Sequence, residues 1–126
     1  MPENYPVQQM LALGRAGLVN LGFNSNNVLT CDDNLRAAGF VNITRHVMKI
    51  PCGPWAKGQD LKMVGLFWRK IMLDGLDGIT GITIGKGLGW SKEALEVFLV
   101  DVRKALMDKS VHAYCPLHIV TAQKPV

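Results

Sequence analysis

Residues 40–50, FVNITRHVMKI, are rich in β-branched side chains and alternate in polarity, a spacing that predicts a strand. One face carries Val41, Ile43, Arg45, Val47 and Lys49. The other carries Asn42, Thr44, His46, Met48 and Ile50. The following PCGPW, residues 51–55, stops the strand with two prolines and a glycine. A second alternating stretch, VHAYCPLHIVTAQKP, occupies residues 111–125. Its faces are Val111, Ala113, Cys115, Leu117 and Ile119 on one side, and His112, Tyr114, Pro116, His118 and Val120 on the other. Pro116 has no N–H for a ladder, so an edge or a bulge is expected there. Two long strands form at best an antiparallel ribbon, which is marginal alone and leaves open edges. Helices must cover its faces, and a homodimer or larger assembly is the expected way to complete the sheet.

Outward from this pair the chain reads as helix. Residues 6–23 place Met10, Leu11, Leu13, Leu18, Val19 and Leu21 at helical spacing, weakened by Gly14 and Gly17. Residues 32–38 read as a short helix, with Asp32 and Asp33 at its favourable N-terminal end and Gly39 as its C-cap. Residues 60–74 read as a helix capped by Asp60, with Met63, Phe67 and Ile71 in an apolar stripe widened by Leu66, Trp68 and Met72. In residues 92–108, after an N-cap at Ser91, the buried face is Leu95, Phe98, Leu99, Val102 and Leu106. The fold class is therefore α+β, mainly helical, in a single domain spanning 1–126.

Between the last two helices lies GITGITIGKGLGW, residues 78–90. A phosphate loop needs glycine where Thr80 stands and Ser or Thr where Gly87 stands. A dinucleotide turn begun at Gly85 and Gly87 needs a third glycine where Trp90 stands. The segment reads instead as a loosely helical or turn-rich connector.

Bulk composition narrows the function. A chain of 126 residues with 48% apolar content is globular. Its apolar runs fall short of the ~20 residues of a membrane span, so no membrane partner is expected. The start, MPENYPVQQM, lacks a basic region followed by an apolar core, so cytoplasm is expected and Met1 reads as the beginning of the chain. Cys31, Cys52 and Cys115 lie far apart, which argues against a metal site and for reduced thiols. The net charge of +4 is scattered rather than striped. That pattern excludes a dedicated nucleic-acid surface but suits an anionic ligand.

Three blocks then carry a resemblance: LRAAGFVNITRHVMKIPCGPWAKGQDLKMVG (35–65), LGWSKEALEVFLVDVRKAL (88–106) and VHAYCPLHIVTAQKP (111–125). In order and spacing they resemble the C-terminal part of fungal secondary-metabolite methyltransferases, class I enzymes that use S-adenosylmethionine. The telling residues are Ala38-Gly39-Phe40, Pro51-x-Gly53-Pro54-Trp55, Leu88-Gly89-Trp90-Ser91, His112-x-Tyr114 and Lys124-Pro125. The resemblance implies a remnant of a Rossmann-like enzyme in which the glycine-rich segment lies among the helices covering the substrate. Such enzymes hold their cofactor on an N-terminal half with a glycine turn after the first strand. The 34 residues preceding the first block have no room for that half, so no cofactor-binding residues are expected. What remains is a substrate-covering half. Its expected function is cofactor-independent cyclisation, isomerisation or elimination on a hydrophobic small molecule. The alternatives are a non-catalytic binding or partner subunit, such as the substrate half of a split methyltransferase, and a truncated gene product.

Site residues follow from chemistry. His46, His112 and Asp74 are the candidates for general acid or base, His112 sharing its strand face with Tyr114 and His118. Each also has a plain structural reading, as a satisfied or solvated side chain or, for Asp74, as a helix end. Trp55, Met63, Phe67, Trp68, Met72 and Tyr114 are the candidates for lining an apolar substrate pocket, although such a stripe also reads as core. Arg69 or Lys70 would stabilise an enolate or carboxylate if not simply solvated. Cys52 and Cys115 read as structural.

Overall fold

The structure, a computed structural model, describes residues 4–126; the expected chain start at Met1 lies outside the described residues. Helix α1 (Pro6–Asn20) is followed by α2 (Asn27–Ala37), strand β1 (Val41–Pro51) and the long helix α3 (Gln59–Thr80). A π-helical turn (Gly81–Lys86) continues α3 and leads to α4 (Lys92–Met107) and strand β2 (Tyr114–Gln123). The two strands pair antiparallel in one ribbon, with His46 opposite Ile119 and Ile50 opposite Cys115. Helix and strand are thus mixed as expected.

Pro6 starts α1 at the position where its missing N–H costs nothing. Ser91 caps α4, its hydroxyl oxygen accepting from the Ala94 N–H at 3.2 Å. The buried face of α4 is Leu95, Leu99, Val102, Ala105 and Leu106, with Phe98 half-buried. These side chains pack with Val7 and Met10 of α1, Leu76 of α3 and Ile84 of the π-helical turn to form the core. Ile84 and Val102 are fully enclosed.

Several expectations are corrected. Of the two forms expected for residues 78–90, the helical one holds over 78–88 and the turn-rich one does not: α3 runs past Asp74 to Thr80, and the π-helical turn follows without a break. The glycines that penalise this helix locally allow it to approach α1 closely. A Cβ on Gly17 would lie 1.6 Å from the Thr83 carbonyl oxygen, and one on Gly87 would lie 2.6 Å from that of Gly17. The Thr80 and Thr83 hydroxyls donate to the Leu76 and Ile79 carbonyls, so both buried hydroxyls are satisfied within the helix. Helix α2 begins at Asn27, so Asp32 and Asp33 sit inside it rather than at its N-terminus. Asp33 pairs with Arg36 at 2.9 Å, and Asp32 reaches across to β1. Gly58 (φ 92°) precedes α3 in the capping position, and Asp60 lies in the first turn, where the helix dipole favours it. Pro116 keeps register opposite Lys49; the ribbon's irregularity falls between Val41 and Thr44, where Asn42 has φ 52°.

Arg45 fastens α2 to the ribbon. It forms a two-pronged ion pair with Asp32, donating through Nε at 2.9 Å. It also donates to His118 Nδ1 at 2.8 Å and to the Val28 carbonyl at 2.7 Å. This hydrogen bonding holds the Asp32 carboxyl below its usual range. On its other side the ribbon meets α3 through the loop after β1. A Cβ on Gly65 would lie 2.0 Å from the Gly53 carbonyl oxygen, so loop and helix touch backbone to backbone. Among the described residues, no helix is long and apolar enough to cross a membrane.

Candidate functional site

These close approaches leave a cavity of about 580 Å³ between α1, α3, the C-terminal end of α4 and the loop and strand beside them. Helix α1 contributes Val7, Leu11 and Arg15, which follow one another at four-residue steps down one face. Helix α3 contributes Trp68, Arg69 and Met72. The loop 52–55 supplies Cys52 and Trp55, and the chain entering β2 supplies His112, Tyr114 and Cys115.

An aromatic cluster forms the wall on the ribbon side. The Trp55 and His112 rings stack with centroids 4.7 Å apart and planes 6° apart. Tyr114 meets Trp55 edge-on at 4.7 Å and 78°, and Lys49 Nζ stands 5.7 Å from the Tyr114 ring centre. The Trp55 Nε1 is buried and has no hydrogen-bond partner among the described residues.

The titratable groups are set by their surroundings. Burial pushes the Cys52 thiol up to about 11, and Cys115 nearby adds to the effect, so the thiol stays protonated. The Tyr5 hydroxyl donates to the Ala105 carbonyl at 2.8 Å, and burial, then Asp108, pushes its pKa up. Asp108 accepts from both the hydroxyl and the backbone N–H of Ser110, which hold its carboxyl below the usual range. Among the described residues His112 has no hydrogen-bonded carboxylate to orient it, and no group of His, Cys, Asp or Glu is placed to hold a metal ion. The arrangement is equipped to bind a flat apolar molecule; it is not assembled as a nucleophile–base pair.

Of the residues singled out in the sequence, Trp55, Trp68, Met72, His112 and Tyr114 come together around this cavity. Met63 and Phe67 do not line it: they are 47% and 59% exposed on the outward side of α3, a helix turned so that Gly65 meets the loop. His46 is exposed in mid-ribbon, where its strand runs away from the cavity. Asp74 is exposed and accepts from Lys70 Nζ at 2.8 Å, one helical turn back. Arg69 lines the cavity and Lys70 does not. Sequence reasoning missed Tyr5, Leu11, Arg15 and Asp108. Arg15 alone carried a usable signal, four residues after Leu11 and the one charged residue of α1.

The described residues do not fit S-adenosylmethionine. Their one sheet is a two-stranded antiparallel ribbon with no parallel strands, and the loop from β1 into α3 has isolated glycines at 53 and 58 rather than the Gly-x-Gly turn of a nucleotide-type site.

No family model matches the chain, and no solved structure matches it. Curated proteins do. The methyltransferase pytC of Aspergillus terreus is 35% identical over 91 residues, which are 72% of this chain and 28% of that protein. The probable methyltransferase tdiE of Emericella nidulans is 29% identical over 125 residues, 99% of this chain and 39% of that protein. The secondary metabolism regulator laeA of Aspergillus fumigatus is 26% identical over 93 residues, 74% of this chain and 25% of that protein. The chain therefore spans only about a quarter to two-fifths of the length of these relatives, and it is similar to methyltransferase-like proteins of fungal secondary metabolism, regulators among them.

Proposed function

We propose that this chain is the substrate-binding wall of a methyltransferase-like protein of fungal secondary metabolism, corresponding to the C-terminal part of such proteins, and that its cavity holds a hydrophobic small molecule. The observation that carries this reading is the cavity itself. At about 580 Å³ it falls within the range of small-molecule sites, and Trp55, Trp68 and Tyr114 give it flat apolar walls. A methyl donor, where one is used, belongs on polypeptide that supplies the parallel strands absent from the described residues. The ribbon's two outer edges offer such polypeptide a place to pair, or a second copy of this chain where it forms a homodimer.

A second reading rests on His112 and Tyr114, which stand together in the cavity wall. They supply a proton-transfer pair for cyclisation or isomerisation without a methyl donor.

The test uses the chain as it is. Methyl 2-naphthoate, followed by tryptophan fluorescence, is expected to bind saturably with Kd of roughly a millimolar or tighter. Trp55→Ala is expected to abolish that binding, and S-adenosylmethionine is expected to give no heat in calorimetry. Tight binding of S-adenosylmethionine to this chain alone would overturn the assignment of the donor to other polypeptide. Turnover of a reactive polyketide- or terpenoid-derived compound with no additive, reduced about a hundredfold by His112→Ala, would establish the second reading over the first. Sedimentation at micromolar concentration decides the homodimer.

A further inference from the structure

The chain has five arginines: Arg15, Arg36, Arg45, Arg69 and Arg103. Three have carboxylate partners: Arg36 with Asp33, Arg45 with Asp32, and Arg103 with Asp77. Among the described residues the two without one are Arg15 and Arg69, and both line the same cavity. They reach it from different helices, α1 and α3. Arg69 is half-buried between Trp68 and Met72, a position where a guanidinium lacks much of its hydration and gains from an anionic partner. The cavity's other charges are Lys109 and Asp108, and Ser110 already engages the Asp108 carboxylate. Cations therefore outnumber carboxylates in an otherwise apolar pocket.

We infer that the ligand is a flat apolar molecule bearing one oxyanion group, a carboxylate or a phosphate, which Arg69 and Arg15 receive while the aromatic wall of Trp55 and Tyr114 takes the apolar body. The guanidinium fork matches both groups, donating to two oxygens at once. Asp108, at the end of α4, repels the anion and so fixes which end of the ligand faces the arginines. This inference rests on the reading of the cavity as a small-molecule site and adds the chemistry of the molecule.

Three probes test it: 2-naphthoate, 2-naphthyl phosphate and methyl 2-naphthoate, titrated against the chain at low and at physiological salt. At least one anion is expected to bind about tenfold or more tightly than the ester, with the difference shrinking as salt is added. Whichever anion binds more tightly identifies the group. Arg69→Gln is expected to lower anion affinity about tenfold, well beyond any loss of ester affinity, so that the preference disappears, and Arg69→Lys is expected to restore part of it. Arg15→Gln serves as a second, exposed variant in which folding is not at risk. Equal binding of ester and anions overturns this inference and leaves the small-molecule cavity standing. Failure of all three probes, the ester included, overturns both.

Discussion

Replacing Gly17 by alanine tests the packing that builds the cavity. In an ordinary helix interior the exchange stabilises by about 0.5–1 kcal/mol, because alanine loses less backbone entropy. At Gly17 the new Cβ would lie 1.6 Å from the Thr83 carbonyl oxygen and 2.6 Å from its carbon. Ordinary contact begins near 3.4 Å, so α1 and the π-helical turn must part by about 2 Å. Both obstructing atoms are backbone inside a helix, and neither can swing away as a side-chain tip would. Overpacking of this kind costs typically about 1–3 kcal/mol, and the absence of relief points to the upper end. The net expectation is a destabilisation of about 2 kcal/mol, together with weaker probe binding, because α1 carries Val7, Leu11 and Arg15. Gly14→Ala, one turn earlier in the same helix, is the internal control. Its Cβ would meet only the Thr83 hydroxyl at 3.6 Å, an ordinary contact, so it is expected to stabilise by up to about 1 kcal/mol. Urea unfolding followed by far-UV circular dichroism measures both. Equal midpoints for the two variants, or a higher one for Gly17→Ala, would refute the claim that α1 and the turn meet through backbone.

Four other outcomes follow from the structure. Gly65→Ala places a Cβ 2.0 Å from the Gly53 carbonyl oxygen and displaces the loop bearing Trp55; naphthoate-ester binding is expected to fall at least about tenfold, as read by fluorescence titration. At pH 8 iodoacetamide is expected to label exposed Cys115 well before Cys52, whose thiol is pushed up to about 11, with peptide mass spectrometry giving the order. Because Asp32 is held below its usual range, its grip on Arg45 is in place above that range and is lost as pH falls through the lowered value; hydrogen exchange of α2 amides should quicken in strong acid, a step absent in Arg45→Met. Asp74→Asn and His46→Ala change groups that are exposed and away from the cavity, so probe affinity should not move and stability should shift by no more than about 0.5 kcal/mol.

The strands and the last helix were legible because their signals are local. Alternation of β-branched residues marks β1, and Ser91 with the Leu95–Leu99–Val102–Leu106 series marks α4. Residues 78–86 were not legible, because glycine counts against a helix locally while the compensation, contact between Gly17 and Thr83, comes from a distant part of the chain. The start of α2 was missed for a related reason. What holds Asn27–Thr30 in helix includes Arg45 donating to the Val28 carbonyl, a contact between separate elements. At the site, the aromatic residues announced themselves by type, and five of the residues expected there meet. Met63 and Phe67 share their helix with Trp68 and Met72, and periodicity does not say which side of a doubly apolar helix faces inward. The α1 contribution depended on how two helices dock, which no spacing within α1 encodes.

The π-helical turn at Gly81–Lys86 has a consequence for how this chain tolerates changes in length. A wide turn takes up one residue more than an α-helical turn over the same rise. Deleting a single residue there lets the turn tighten to α-helix while the segments before and after keep their rotational phase. The same deletion within Gln59–Thr80 would swing everything beyond it by about 100°, taking Leu76 or Ile84 out of the interior. The rod therefore has one slack link, and it sits where α1 leans on it.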